Sequence, residues 1–571
     1  MKLSPAVCFF MLLFHRTQAF SYDYSATSKC LTEPQRAQYR GGTIKNPDFD
    51  HGIDGWTVFG HGSIIEGTSK DGNKYIIAKD RTQPLDGLSQ MVQFEQRQIY
   101  SFSAWVQVNE GSEDVSVVFR IDGKDLIRAG KVIARNGCWS FLKGGVTANY
   151  SSPVDVLFES KNMRTEVWID SVSLQAFTKE QWKSHQETII AKERKSKVRI
   201  EVNYANGTAV EGAIVATKQT KSDFPLGCAM NHHILESTDY QNWFASRFKY
   251  TTFTNEMKWY STEIIQGQEN YTVADSMLKF CKEKGIFIRG HNVFWDDPKY
   301  QPKWVVNLSS DELRTAAAKR INSVVPRYKG QLIAWDVVNE NLHFSFFEDK
   351  LGRNASFEFY VRAYQLDPST VMFMNEYNTI EYCGDEKVSP ANYIKKLEDM
   401  LSYPGIQGIS AGIGLQGHFG LGQPNLAYMR SSIDYLGSAG LPIWLTEVSV
   451  ANDPDQAQHL EEVLREGYSH PAVKGIIMFM GPAMAGFNET PLAHNNFSNT
   501  PAGDIVDKLL HEWNSQTTKT ETDAKGLSEI LLNHGEHSIT VEHRLTNSLK
   551  TFSYNVTKRA RGATLHVQVN G

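Results

Sequence analysis

Two textures of hydrophobic and polar positions divide the chain. From about Cys30 to Phe177 apolar and polar residues alternate over short stretches, as in Ile99-Tyr-Ser-Phe-Ser-Ala-Trp-Val-Gln-Val and Thr165-Glu-Val-Trp-Ile-Asp-Ser-Val-Ser-Leu, with Gly- and Asp-rich turns between them. A period of two is the signature of strands with one buried face, so residues 30–177 are expected to form an all-β jelly-roll sandwich. Beyond about Phe224 the texture changes to short continuous apolar runs separated by helical patterns. The runs are Leu226–Met230, Thr251–Thr254, Ile286–His291, Leu332–Val338, Val371–Asn375, Gly412–Gln416, Ile443–Glu447 and Gly475–Met480. Buried strands alternating with amphipathic helices predict a TIM (β/α)8 barrel over 223–515, with polar residues gathered at the C-terminal ends of its strands. Between the two regions, 178–222 reads as a charged linker (Lys192-Glu-Arg-Lys-Ser-Lys) and a β hairpin, with strands near Val198–Val202 and Ala213–Lys218 and Asn206-Gly207 as the turn. Runs near Ser538–Val541, Leu549–Val556 and Ala563–Val569 predict a short C-terminal β extension over 516–571.

The N-terminus sets the compartment. Lys2 precedes the apolar run Ala6–Phe14, and Thr17-Gln18-Ala19 supplies a small-residue cleavage site, so 1–19 read as a signal peptide. The run is too short to cross a bilayer, which implies a secreted, extracellular protein with no membrane association after cleavage. Against that background 571 residues suggest several domains, and 59 Lys+Arg against 64 Asp+Glu, with no basic block, argue against a nucleic-acid partner and for a neutral substrate. Eight Asn-X-Ser/Thr sequons, at Asn149, Asn206, Asn270, Asn307, Asn354, Asn488, Asn496 and Asn555, are candidate glycosylation sites. Cys8 leaves with the signal. The five remaining cysteines, Cys30, Cys138, Cys228, Cys281 and Cys383, show no zinc-like spacing and read as buried structural thiols, at least one of them unpaired within the monomer. No cofactor and no metal is assigned, and the oligomeric state is left open.

The candidate chemistry lies at two strand ends. Trp335-Asp-Val-Val-Asn-Glu340 closes the fourth run and Trp444-Leu-Thr-Glu447 the seventh, so two glutamates project toward one barrel mouth, where paired carboxylates do acid/base or nucleophilic work. With Thr254-Asn-Glu-Met-Lys-Trp259, Arg289-Gly-His-Asn-Val-Phe-Trp295, Asn375-Glu-Tyr-Asn378 and Gln416-Gly-His418, these blocks resemble glycoside hydrolase family 10, the endo-β-1,4-xylanases, in their multi-domain plant form. The resemblance implies a retaining mechanism with Glu340 as acid/base and Glu447 as nucleophile. It also implies that Asn339 meets the 2-hydroxyl of the reacting sugar, that His291 and Trp295 wall that subsite, and that Gln416 and His418 sit beside the nucleophile. By the same likeness Asn255 and Lys258 hold the next sugar, and Tyr377 supports a sugar on the leaving side. Asn46-Pro-Asp-Phe49, Gly55-Trp56, Cys138-Trp-Ser-Phe141 and Trp168-Ile-Asp170 are similar to carbohydrate-binding modules of families 22 and 4. In such a module Trp105 and Tyr100 are the candidate sugar platforms and Trp56, Trp139 and Trp168 core residues, while Asp170 stands where such modules often hold calcium.

Three positions depart from the family pattern. Thr254 stands where a glutamate is usual, Ser449 where an aspartate orients the histidine, and Phe479 where a tryptophan floors the reacting subsite, with Phe487 in an altered following loop. The loop after Trp295 is longer, which leaves the family's glutamine there without an evident counterpart. The resulting expectation is a secreted endo-1,4-β-xylanase acting on plant cell-wall xylan. Two other readings stand beside it: a xylan-binding wall protein weakened in catalysis by these departures, and a xylan transglycosylase.

Overall fold

The alternating pattern does build two facing antiparallel sheets. The computed structural model describes residues 21–514, 517–558, 562 and 564–570, so the expected signal peptide lies outside the described residues. One sheet runs Thr57–Phe59, Gly87–Phe94, Ser152–Glu159, Ser112–Ile121, Asp125–Arg135; the other runs Ser63–Thr68, Lys74–Lys79, Val167–Phe177, Ile99–Val108, Ser140–Thr147. Phe102, Ala104 and Val106 point into the shared core, while Ser101, Ser103 and Trp105 take the opposite face of the same strand. That outer face is nevertheless covered. Leu31 and Trp139 exchange backbone hydrogen bonds of 2.7 and 2.8 Å, and the disulfide Cys30–Cys138 fastens the N-terminal segment across the sheet.

This overlay corrects two expectations. Trp105 is 2% exposed and packs against Phe141, and Tyr100 lies in the core stacked on Phe94, so neither is an open sugar platform. Two of the cysteines read as thiols are joined; Cys228, Cys281 and Cys383 stay free. Asp170 is buried, but its oxygens already accept hydrogen bonds from Asn73 Nδ2 and the Ser171 N–H.

The eight apolar runs become the parallel strands β1 (Leu226–Met230), β2 (Tyr250–Phe253), β3 (Phe287–Trp295), β4 (Ala334–Asn339), β5 (Val371–Glu376), β6 (Ala411–Leu415), β7 (Ile443–Val450) and β8 (Val473–Met478). Each pairs with its neighbour, and β8 pairs with β1, so the sheet closes into a barrel. Register slips fall at His291/Phe294 on β3, before Asn339 on β4, and between Leu445 and Val448 on β7. A bulge re-aims a strand's side chains, and these three sit at the mouth.

The flanking segments differ from expectation. Residues 178–222 open with a 15-residue helix, Lys179–Glu193, started by a capping box between Thr178 and Gln181. The strands Lys195–Tyr204 and Ile214–Ser222 do not pair as a hairpin. The chain does turn at Asn206-Gly207, but it returns for only one bridge, Asn203 to Ala209, before crossing to a second sheet. Lys195–Tyr204 lies between Leu527–Asn533 and Thr564–Val569, while Ile214–Ser222 lies between Thr517–Glu521 and Gly535–His543, with Ser548–Val556 outside. The supposed hairpin and C-terminal extension thus form one small two-sheet unit around Val198, Ile200, Val215, Ile539 and Val541, because neither half has enough apolar surface to close a core alone.

Candidate active site

Glu340 leaves the end of β4 with φ 61, a left-handed conformation that costs energy for a residue with a Cβ and is tolerated where the surroundings fix it. Its N–H donates to the Asn375 carbonyl (3.0 Å), which fixes the turn to β5. Trp295 Nε1 donates to its Oε2 (2.8 Å) and Gln416 Nε2 to its Oε1 (3.0 Å). Burial raises its proton affinity above the usual carboxylate range; the two hydrogen bonds oppose that shift and the negative Glu447 adds to it.

Glu447 has the opposite setting. Burial alone would raise it, yet His291, His418 and Lys258 together hold it well below the ordinary range. His418 Nε2 is 3.6 Å from its Oε2, His291 Nε2 is 4.0 Å from its Oε1, and Asn375 Nδ2 donates to Oε1 at 2.7 Å. His291 is aimed from behind by Asp336, whose carboxylate meets the ring Nδ1 at 2.9 Å and Arg289 at 2.7 Å. His418 is half-exposed, and its Nδ1 meets Ser449 Oγ at 2.7 Å. Burial would lower His418, but the nearby negative charge of Glu447 raises it. Ser449 therefore keeps the orienting contact of the aspartate it replaces while withholding the second negative charge.

Lys258 is buried and pushed down to about 8, the nearby carboxylates recovering part of the desolvation cost. Its Nζ lies 4.3 Å from the Trp295 ring centroid and 3.3 Å from Asn255 Oδ1, which also accepts from Tyr260 (2.6 Å). Asn255 itself is exposed at the mouth. Thr254 leaves no carboxylate there. The neighbouring Glu256 is turned away, accepting the N–H groups of Asn255 and His232. Phe479, after β8, lies edge-on to both His291 (6.4 Å) and His418 (6.2 Å), so it keeps an apolar wall beside the nucleophile. Phe487 packs on the strand end at Gly481 rather than beside those histidines. In the long loop after Trp295, Tyr300 stacks on the Trp295 ring at 4.0 Å, and Gln301 turns its amide to the carbonyls of Trp295 and Asp297.

The structure brings Glu340, Glu447, His291, Trp295, Asn339, Gln416, His418, Lys258 and Phe479 to one mouth, with Tyr377 within electrostatic reach of Glu340. Gln416 is placed differently from the expectation that it flanks the nucleophile. Its side chain serves Glu340, and only its carbonyl touches Glu447, by accepting the backbone N–H at 2.8 Å. Asn375 was not singled out, yet one amide nitrogen of it ties Glu447 Oε1 to Asn339 Oδ1 (2.9 Å). Asp336 was also missed as the group that orients His291. A charged residue inside an otherwise apolar strand run was the available signal for Asp336; the repeated strand-end Asn in the Asn-Glu-Tyr-Asn block was the signal for Asn375. Seven of the eight sequon asparagines are exposed, and Asn354 is half-buried where its helix begins.

A closed barrel that carries at its mouth one carboxyl raised and one lowered in proton affinity is the constellation of a barrel glycosidase. Comparison with known proteins agrees. Residues 216–481 match the model for glycosyl hydrolase family 10, and 41–161 match a carbohydrate binding domain. Two Arabidopsis thaliana proteins, endo-1,4-beta-xylanase 5-like and endo-1,4-beta-xylanase 5, are each 47% identical over 549 and 551 residues, covering 94% of this chain and 93% of theirs. Among solved structures, xylanase 10B from Thermotoga petrophila RKU-1 with xylobiose is 23% identical, covers 51% of this chain and 94% of its own, and has a TM-score of 0.45. The chain belongs to glycosyl hydrolase family 10, and is a glycoside hydrolase with a carbohydrate-binding domain ahead of its barrel.

Proposed function

We propose that the protein is a secreted endo-1,4-β-xylanase that cuts internal bonds of plant cell-wall xylan by retaining double displacement. The observation that carries this reading is the opposite electrostatic setting of Glu340 and Glu447 in one mouth. Ionised Glu447 attacks the anomeric carbon and the bond to the leaving oxygen breaks, while Glu340 gives that oxygen its proton. Glu340 then takes a proton from water, whose oxygen displaces Glu447 and returns it as carboxylate. The xylan assignment is supported by the xylanase names of relatives aligned along nearly the whole chain. Secretion is supported by the Cys30–Cys138 disulfide, a bond that persists in oxidising compartments, and by the exposed sequons.

Ser449 at 2.7 Å from His418 favours a working enzyme over a weakened binder, since the histidine keeps its orienting partner. The test is reducing-end release from glucuronoxylan and arabinoxylan, with Glu447→Gln as the blank. Release that vanishes in the variant is expected. Binding to insoluble xylan with no release would move the function to glycan binding, and transfer to an added oligosaccharide in place of hydrolysis would make the protein a transglycosylase.

A further inference from the structure

Just beyond Glu340 lies an imidazole that the reaction above does not use. His343 is nearly buried, with its Nδ1 2.5 Å from Glu376 Oε1 and its Nε2 2.8 Å from Asp385 Oδ2. Both ring nitrogens face carboxylate oxygens, so with both carboxylates ionised the ring must be doubly protonated to satisfy both contacts; burial raises Glu376, and the hydrogen bond and charge of His343 oppose that shift. Its flat face lies on Tyr377, with ring centroids 3.7 Å apart and planes inclined by 4°. The same carboxylates bind the surrounding backbone and side chains. Glu376 accepts the N–H groups of Leu342 (3.0 Å) and Tyr377 (3.3 Å), and Asp385 accepts from Asn378 Nδ2 (2.9 Å). The other charged groups that face His343 are Glu340, whose carbonyl accepts the Phe344 N–H at 3.1 Å, and Lys387, whose Nζ donates to the His343 carbonyl at 3.2 Å.

We propose that His343 is a positioning residue for the leaving side of the cleft: as an imidazolium clamped between Glu376 and Asp385, it fixes the Tyr377 ring as a sugar platform and releases it when the imidazolium loses its proton. The proposal rests on the reading of the protein as a retaining xylanase, in which Tyr377 supports a leaving-side sugar. Loss of either ring proton would set a bare nitrogen lone pair against a carboxylate. The ring would then tilt away, and Tyr377 would lose the surface that holds it flat. Burial opposes the charged ring, but the two carboxylates outweigh it and raise His343 above the ordinary imidazole range, so the release falls on the alkaline side.

Leaving-side binding can be read separately from the ionisation of Glu340. The glycosyl-enzyme partitions between water and an added sugar acceptor, and Glu340 must act as base for both, so its titration cancels in the ratio of transfer to hydrolysis. The experiment uses the full-length protein with an aryl β-xylobioside as donor and xylobiose as acceptor, from about pH 5 to about pH 9. In the wild type the ratio is expected to fall as pH rises. In His343→Gln it is expected to be about tenfold lower near neutral pH and independent of pH. A wild-type ratio that is flat, or too low to detect at every pH, would overturn the proposal, as would a His343→Gln profile that follows the wild type. If the variant does not fold, the wild-type profile still decides. Failure of the xylanase reading looks different: the wild type would then not hydrolyse the donor at all, or would do so no faster than Glu447→Gln.

Discussion

At the residue scale two carboxyls are driven apart. The proposed double displacement needs Glu340 protonated and Glu447 ionised, and the shifts run in those directions. kcat/KM is therefore expected to be bell-shaped in pH, its acid limb below and its alkaline limb above the ordinary glutamate value of about 4.3. Glu340→Gln should lower kcat on xylan by about 10²–10⁴-fold and much less on an aryl xyloside whose leaving group needs no proton. A second prediction concerns Ser449. Ser449→Asp places a negative charge at His418 Nδ1, so the His418 titration followed by NMR should move up by about one unit or more; no movement would mean that the 2.7 Å contact is not made in solution. The two glutamates were legible in the sequence because each closes an apolar run that predicts a buried strand. Gln416 was legible as a member of the site but not in its partner, since only the closed barrel decides that its amide crosses to Glu340 while its carbonyl stays with Glu447.

At the element scale the mouth is braced from outside by the helix Ser310–Tyr328. The Arg320 guanidinium is fully buried and donates to the carbonyls of Met257 (2.6 Å), Asn292 (3.2 Å) and Val293 (3.2 Å), and to Thr262 Oγ1 (2.9 Å). It thereby fixes the segment before Lys258 and the bulge after His291. Arg320→Met leaves those carbonyls without a donor and should cost about 3 kcal/mol or more in stability, with a raised KM, as measured by denaturant unfolding and steady-state kinetics. All eight barrel strands could be read from their apolar runs, because a strand buried on both faces needs no knowledge of its partners to look buried. The strands on either side of the barrel could not be read in the same way. Ile214–Ser222 pairs with Thr517–Glu521 and Gly535–His543, some three hundred residues away, and a local turn at Asn206-Gly207 carries no sign of so distant a partner. The helix Lys179–Glu193 was hidden by its charge, although its capping box was written in Thr178-Lys-Glu-Gln181.

At the scale of the whole molecule, the sandwich is locked to the barrel rather than tethered. Lys143 on the sandwich strand Ser140–Thr147 meets Asp434 on the barrel helix Leu426–Gly437 at 2.7 Å, both side chains having 0% exposure, and Tyr22 donates to the same carboxylate at 2.7 Å. Burial would raise Asp434, but Lys143 and His470 hold it below the usual range. Its contribution to stability is thus present above the ordinary aspartate range and lost as pH falls through its lowered value. Lys143→Met should cost about 3 kcal/mol by removing the lysine partner of buried Asp434, which keeps Tyr22 and His470, and should split a single calorimetric transition into two. Asp434→Leu added to Lys143→Met should restore part of the loss, and equal stability of all three forms would contradict the interlock. Such docking fixes where the N-terminal domain sits relative to the barrel, whereas the chemistry proposed above rests on Glu447. The most direct test of that claim is to treat the protein with a 2-fluoro-β-xylobioside carrying a good leaving group and map the labelled peptide by mass spectrometry. One stable adduct per chain, an ester on Glu447, is expected. An adduct on another carboxylate, or turnover of the natural substrate with no adduct formed, would contradict it.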